Sequence, residues 1–320
     1  MSMNKQPLVL VFSHADDPQL SMLQHVPHIL VPSPAELTPE ARQAEVILHW
    51  FGPREPFRDI FLACPRVRWV HSRSAGLDRI LFPELVQSPV PLTNGTGVFS
   101  QSLGEFALAA MLYFAKDFRR MLRNQEAGQW EEFDVEEIAG QTVGIVGYGD
   151  IGRAVASRAR AMGMRVLALK RHAPSAPDPL IARFYGLDEL NLLLAESDFV
   201  VVSTPLTPET HHMIGDAAFA ALKPNAVIIN IGRGPVIDQE AMVRALSQGK
   251  IKGAGLDVFE QEPIPPGDPI YKLPNVLISP HCADQTKDWL NQAMQFFLKQ
   301  YDRFANNQPL ENIVEKHLGY

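Results

Sequence analysis

The chain has 320 residues, 46% of them hydrophobic, with 29 Lys+Arg against 36 Asp+Glu for a formal net charge of −7. That is about twice the usual domain length, so two domains with separate cores are expected. The negative balance disfavours nucleic acid or an acidic membrane as a main partner. The two cysteines, Cys64 and Cys282, have neither metal-ligand spacing nor the density of a disulfide framework, which points to a reducing compartment. The first predicted element is the apolar run 7–12, too short for a signal core or a membrane span and better read as a strand, so a cytoplasmic protein is expected. Strands over 9–12, 28–31, 46–50, 67–71 and 90–93 alternate with helices around 39–44 and 57–64, the pattern of a parallel α/β domain.

A long helix is predicted over 102–122, with Leu103, Phe106, Ala107, Ala110, Met111, Phe114 and Phe118 covering more than one face. Helices apolar on several faces are usually buried between domains or subunits, so a homodimer is expected. A second alternating block follows. Its strands are predicted at 142–146, 165–169, 199–203, 226–230, 253–258 and 276–278, and its helices at 151–162, 187–196, 216–221 and 239–248. Six strands with crossovers predict a doubly wound nucleotide domain. Pro263, Pro265, Pro266 and Pro269 mark a rigid loop before the last strand. A final helix over 285–306 is expected to return to the first domain.

The centre of the chain carries Gly147-Tyr148-Gly149-Asp150-Ile151-Gly152 between a predicted strand and a predicted helix. This is the context a dinucleotide fingerprint requires, because the pyrophosphate must meet backbone N–H groups at a helix N-terminus. Gly147 allows the tight turn, Gly149 the approach of the phosphates, and Gly152 the close packing of helix on strand. The next strand, 164–172, ends without the Asp or Glu that bonds an adenosine ribose. Lys170 and Arg171 stand there instead. A carboxylate would repel a 2′-phosphate and a guanidinium can pair with it, so NADP is preferred, with NAD as the alternative cofactor.

Three later strand ends carry further chemistry. Asn230-Ile231-Gly232-Arg233-Gly234-Pro235 places an arginine in a glycine turn. Leu256-Asp257-Val258-Phe259-Glu260-Gln261-Glu262-Pro263 places carboxylates, and Ser279-Pro280-His281-Cys282-Ala283-Asp284 places a histidine. Ligands bind at the C-terminal edge of such sheets, so Arg, Glu and His can converge there.

With these segments, and with Ser203-Thr204-Pro205-Leu206-Thr207-Pro208-Glu209-Thr210, the chain resembles the D-isomer-specific 2-hydroxyacid dehydrogenases, of the glyoxylate/hydroxypyruvate reductase kind, over nearly its whole length. Ser74-Ala75-Gly76-Leu77-Asp78 looks like that family's substrate loop, and Asn94-Gly95-Thr96-Gly97 into Gly104-Glu105 like its hinge and helix start. The resemblance implies a Rossmann nucleotide domain, 104–286, inserted in a flavodoxin-like substrate domain, 1–103 and 287–320. It implies Arg233, Glu262 and His281 as catalytic residues, with Glu260 the weaker rival for Glu262. The fingerprint residues, Lys170, Arg171, Thr204, Pro205, Thr210, Ile231, Gly232, Asp257 and Ala283 would bind the cofactor, with Asn230 lining its path. Ser74, Ala75 and Gly76 would bind substrate together with Arg233 and His281. Trp50 and Phe51 belong either to the substrate pocket or to the core. Arg73 can meet an acidic substrate or remain structural, and His71 is notable for its place near the loop.

Family members often have glycine where Asp284 stands. The implied activity is NADP-preferring reduction of a small 2-oxo acid such as glyoxylate or hydroxypyruvate, in a cytoplasmic homodimer whose cleft closes on its substrates. Two alternatives remain. Formate or phosphite oxidation is disfavoured by Glu262, since formate enzymes of the superfamily pair a glutamine with the histidine. A dinucleotide-sensing, corepressor-like binding protein could keep the same three residues.

Overall fold

The computed structural model describes residues 6–172 and 176–319. They divide into two compact units: the described residues up to Phe99 with those from Lys287 onward, and Ser100–Thr286. In the first unit the chain runs β1 (Val9–Phe12), β2 (His28–Leu30), β3 (Val46–His49), α1 (Arg54–Leu62), β4 (Trp69–Ser72), α2 (Pro83–Gln87) and β5 (Leu92–Thr93). The sheet order is β2-β1-β3-β4-β5, and every pairing is parallel. Strands β1, β3 and β4 are buried at every position. Parallel strands covered on both faces are buried in this continuous way. Leu10, Phe12, Ile47, Phe57, Ile60 and Val70 form part of this unit's core.

The second unit opens with α3 (Ser100–Ala115) and α4 (Phe118–Glu126). It then builds β6 (Thr142–Val146), α5 (Asp150–Ala161), β7 (Arg165–Leu169), β8 (Arg183–Tyr185), α6 (Leu190–Glu196) and β9 (Phe199–Val202). After these come α7 (Asp216–Ala221), β10 (Val227–Asn230), α8 (Gln239–Ser247), β11 (Gly253–Leu256) and β12 (Val276–Ile278). The order β12-β11-β10-β9-β6-β7-β8 is again wholly parallel. The connections reverse direction at β6, between β7 and β9, and a doubly wound sheet opens a ligand crevice at that switch point. The last helix, α9 (Trp289–Ala305), belongs to the first unit, where Phe297 stacks on Trp69 with ring centroids 5.6 Å apart.

Several sequence expectations are corrected. The helix expected over 102–122 is two helices. The chain breaks at Asp117, whose φ of 49° is left-handed and whose Oδ1 accepts the Arg120 N–H at 3.3 Å to start α4. Side-chain caps of this kind satisfy the open N–H groups of a new helix. Residues 100–103 form the first turn of α3 and lie in the second unit, not the first. The second sheet has seven strands rather than six, since the three-residue edge strand β8 carries little periodic signal. The helix expected at 39–44 is a short 3₁₀ turn, Ala41–Gln43. No helix among the described residues is long and apolar enough to cross a membrane.

Candidate active site

The glycine turn joins β6 to α5. Gly147 has a φ of 99°, and a Cβ there would stand 2.8 Å from the Thr204 nitrogen, so only glycine fits. A Cβ at Gly152 would come within 2.5 Å of the Gly147 carbonyl, which shows how closely α5 packs on its own turn. At Gly149 the same atom would meet nothing within 4 Å, so the backbone there faces open space. The N-cap of α5 makes no side-chain hydrogen bond, which leaves its first N–H groups for an anion. Asp150 receives a hydrogen bond from Ser100 Oγ. Ser203 Oγ donates to the Gly147 carbonyl at 2.8 Å, fastening the β9 loop to the turn. Thr204 Oγ1 beside it is buried with no hydrogen-bond partner among the described residues. The Thr210 hydroxyl is used inside its own loop, donating to the Pro205 carbonyl at 2.7 Å and accepting the Thr207 N–H at 2.8 Å.

The ends of β10, β11 and β12 hold the expected Arg, Glu and His together. After β10, Asn230 Oδ1 accepts the Gly232 N–H at 3.1 Å and its amide donates to the Arg233 carbonyl at 3.0 Å, fixing the turn that carries Arg233. A Cβ on Gly234 would fall 1.9 Å from the Phe259 carbonyl, so this turn lies directly on the loop after β11. That loop holds Glu262, whose Oε1 accepts the Phe259 N–H at 3.1 Å and whose Oε2 meets His281 Nδ1 at 2.8 Å. Asp257, 2% exposed, anchors the third loop: its Oδ1 accepts from Ser279 Oγ at 2.5 Å and from the N–H groups of Cys282 and Ala283 at 2.9 and 3.1 Å. Ser102 Oγ of α3 ties the Ala283 carbonyl from the other side at 2.5 Å.

The hydrogen bond that His281 makes to Glu262 raises its pKa above the usual histidine value. Burial and the Arg233 charge work against it, and the Glu262 and Asp257 charges work with it. The Glu262 carboxylate holds Nδ1, so the imidazole presents Nε2 on its other side, and the raised pKa favours the cationic form in which Nε2 carries a proton to donate. Asp284 is half-buried, and burial raises its carboxyl pKa while the His281 charge lowers it. Glu260, the rival carboxylate, pairs with His212 Nε2 at 2.7 Å instead.

A cavity of about 480 Å³ lies beside the turn and the end of β7, lined among others by Tyr148, Gly149, Arg153, Lys170, Asp178 and Phe184. Lys170 is among the residues that line it. Arg171 is not in its lining and stands 3.8 Å from Glu209. Asp178 and Arg153 were not anticipated. Asp178 follows a proline-rich stretch with no motif of its own, and Arg153 reads as an ordinary helix-surface residue.

In the first unit, the Ser74–Gly76 loop is pinned through its carbonyls. Asn94 Nδ2 donates to Ala75 O at 2.7 Å, and the Gly95 N–H to Ser74 O at 3.3 Å. Trp50 resolves as core: it is 1% exposed, with its indole N–H on Asp17 at 2.7 Å. Phe51 is 45% exposed. The Arg73 guanidinium lies 5.3 Å from the Trp50 ring, 5.7 Å from Phe51 and 5.1 Å from Trp289. The sequence offered no signal for Trp289, which comes from α9. His71 is structural: fully buried against Thr93 Oγ1 at 2.8 Å, with its pKa pushed down to about 3 by burial.

The family model for the D-isomer specific 2-hydroxyacid dehydrogenase NAD-binding domain matches residues 108–283. The chain belongs to the D-isomer specific 2-hydroxyacid dehydrogenases and is an NAD(P)-dependent oxidoreductase of that family. It is 36% identical over 271 residues to a glyoxylate reductase of Korarchaeum cryptofilum, covering 81% of this chain and 80% of the relative. It is also 36% identical, over 292 residues, to glyoxylate/hydroxypyruvate reductase B of Pectobacterium atrosepticum, covering 89% and 90%. The solved structure of a D-isomer specific 2-hydroxyacid dehydrogenase from Xanthobacter autotrophicus Py2, in complex with NADPH and MES, superposes with a TM-score of 0.83 at 30% identity, covering 99% of this chain and 100% of that one. The turn fits a nicotinamide dinucleotide on its own geometry: an open Gly149, an uncapped α5 N-terminus and the orphaned Thr204 hydroxyl all face the same ligand class.

Proposed function

We propose that this protein is a 2-oxo acid reductase that prefers NADP and acts on a small substrate such as glyoxylate or hydroxypyruvate. The observation that carries the reading is the Glu262–His281 pair at 2.8 Å on strand ends shared with Arg233. The nicotinamide supplies the hydride when bound. His281 Nε2 then gives the proton that turns the carbonyl oxygen into a hydroxyl, and Glu262 stabilises the imidazolium before that transfer. The Arg233 guanidinium counters the negative charge that grows on the carbonyl oxygen. We assign the substrate carboxylate to Arg233. In this reading the Gly147–Gly152 turn, Thr204, Ile231, Gly232, Asp257 and Ala283 hold the cofactor.

Support for NADP comes from Lys170 in the cavity at the end of β7, from the neighbouring Arg171, and from the NADPH bound in the Xanthobacter relative. The names of the two curated relatives support the substrate class. A spectrophotometric screen of 2-oxo acids with NADPH and NADH in parallel tests the reading. Turnover of glyoxylate or hydroxypyruvate with kcat/KM at least tenfold higher for NADPH is expected. Equal values for the two cofactors would remove the Lys170/Arg171 argument, and no turnover would return the protein to a binding role.

We also propose a homodimer. Phe118, Met121 and Leu122 on α4 are 42%, 40% and 54% exposed, and Trp130 is 95% exposed. Exposed apolar side chains three and four residues apart on one helix, as at Phe118, Met121 and Leu122, share a face and mark an association surface. Light scattering that gives the mass of one chain would contradict it.

A further inference from the structure

The cavity at the end of β7 holds an ion pair that the function so far leaves unused. Asp178 Oδ1 accepts the Leu180 N–H at 3.0 Å. Its Oδ2 accepts the Tyr148 hydroxyl at 2.8 Å and pairs with the Arg153 guanidinium. Both oxygens thus accept hydrogen bonds, from a backbone N–H, a phenol and a guanidinium, and Asp178, Tyr148 and Arg153 line the cavity with Lys170. The Leu180 N–H, Tyr148 and Arg153 keep the carboxyl below its usual pKa, so it is an anion at neutral pH.

The position of the cavity identifies the ligand group. Leu169 of β7 pairs with Val146 of β6, so Lys170 leaves the sheet beside Gly147, where the pyrophosphate turn begins. One strand over from that turn is where a dinucleotide places its adenosine ribose. A phosphate on the ribose 2′-oxygen would bring close to two negative charges and three acceptor oxygens into this space. A guanidinium, a phenol hydroxyl and an ammonium are the donors such a group needs. Asp178 presents its own anion to two of them. The Arg153 side chain is 57% exposed and that of Asp178 11%, so Arg153 sits at the solvent edge, where it can turn to an incoming anion.

We propose that Asp178 is a specificity-determining residue for the cofactor: its carboxylate occupies the anion position of a 2′-phosphate subsite built from Arg153, Tyr148 and Lys170, and the 2′-phosphate binds by displacing it. The proposal rests on the NADP reading above and assigns to Arg153 and Tyr148 a role that the sequence placed on Lys170 and Arg171.

Calorimetric titration with adenosine 2′,5′-bisphosphate and with 5′-AMP tests this without turnover, in the wild type, Asp178→Asn and Arg153→Gln. The expected result is a wild type that binds the bisphosphate more tightly than 5′-AMP. In Asp178→Asn the bisphosphate should bind about tenfold more tightly still, with 5′-AMP changed less than twofold, and Arg153→Gln should lose the difference between the two ligands. If the wild type prefers the bisphosphate and Asp178→Asn leaves that ratio unchanged, the proposal falls and the NADP reading stands. If Asp178→Asn weakens 5′-AMP, Asp178 is a ribose acceptor and the proposal falls. If neither protein distinguishes the ligands, the NADP reading falls and takes the proposal with it. Asp178→Ser, checked by thermal unfolding, serves as the second variant should the asparagine fold poorly.

Discussion

In the five-stranded sheet the strand-end histidines are sealed in. His71 is fully buried on Thr93, and burial pushes its pKa down to about 3; His49 is 6% exposed, and burial takes its pKa to about 4. In the seven-stranded sheet His281 keeps 37% of its side chain exposed, and Glu262 moves its pKa the other way. The same residue type at the ends of two parallel sheets is thus pushed toward the neutral form in one and toward the charged form in the other. What differs is the partner, a neutral hydroxyl at His71 against a carboxylate at His281, and the access of water. Desolvation without a counter-charge removes a proton, and a carboxylate within hydrogen-bond reach retains it.

The two environments also bend stability with pH in opposite directions. His71 has its folded pKa below the unfolded value near 6.5, so the unfolded chain takes up the extra proton first. Its effect is absent above that value, and stability is lost as pH falls from about 6.5 toward 3. His281 has its folded pKa raised, so its contribution is complete below about 6.5 and is lost as pH rises through the folded value.

Exchanging the histidines for alanine sharpens the contrast most. His281→Ala is expected to lower kcat by about 10²- to 10⁴-fold, the range for a lost general acid, and to cost only the small stability of a partly exposed ion pair. His71→Ala should instead cost about 2 kcal/mol or more of stability, from a core cavity and a lost hydrogen bond. It should also flatten the fall in stability between about pH 6.5 and 3, while the folded fraction keeps its kcat. Urea denaturation at several pH values and initial rates measure both. A His71 variant of full stability with lost turnover would reverse the assignment.

The second unit's chemistry was largely legible in the sequence because it is local. Gly147, Gly149 and Gly152 answer one turn, and Arg233, Glu262 and His281 each follow a readable apolar strand. The buried strands of the first sheet were legible for the same reason. What was not legible depends on partners remote in sequence. Trp289 meets Arg73 only because α9 returns to the first unit. Trp50 is core because Asp17 takes its indole N–H. Asp178 reaches Arg153 and Tyr148 across 25 and 30 residues. The break at Asp117 was hidden because apolar periodicity runs on through Phe118, whose side chain is in fact exposed. The edge strand β8 was too short to show a period.

In the proposed mechanism Glu262 keeps His281 protonated for proton donation to the substrate. The pH profile of kcat/KM for NADPH-dependent glyoxylate reduction, in the wild type and in Glu262→Gln, tests it most directly, because that profile reports the free enzyme's acid. Reduction needs the imidazolium, so wild-type activity should fall as pH rises through the raised His281 pKa, and the glutamine variant should lose activity at lower pH. Coincident limbs in the two proteins would contradict the account.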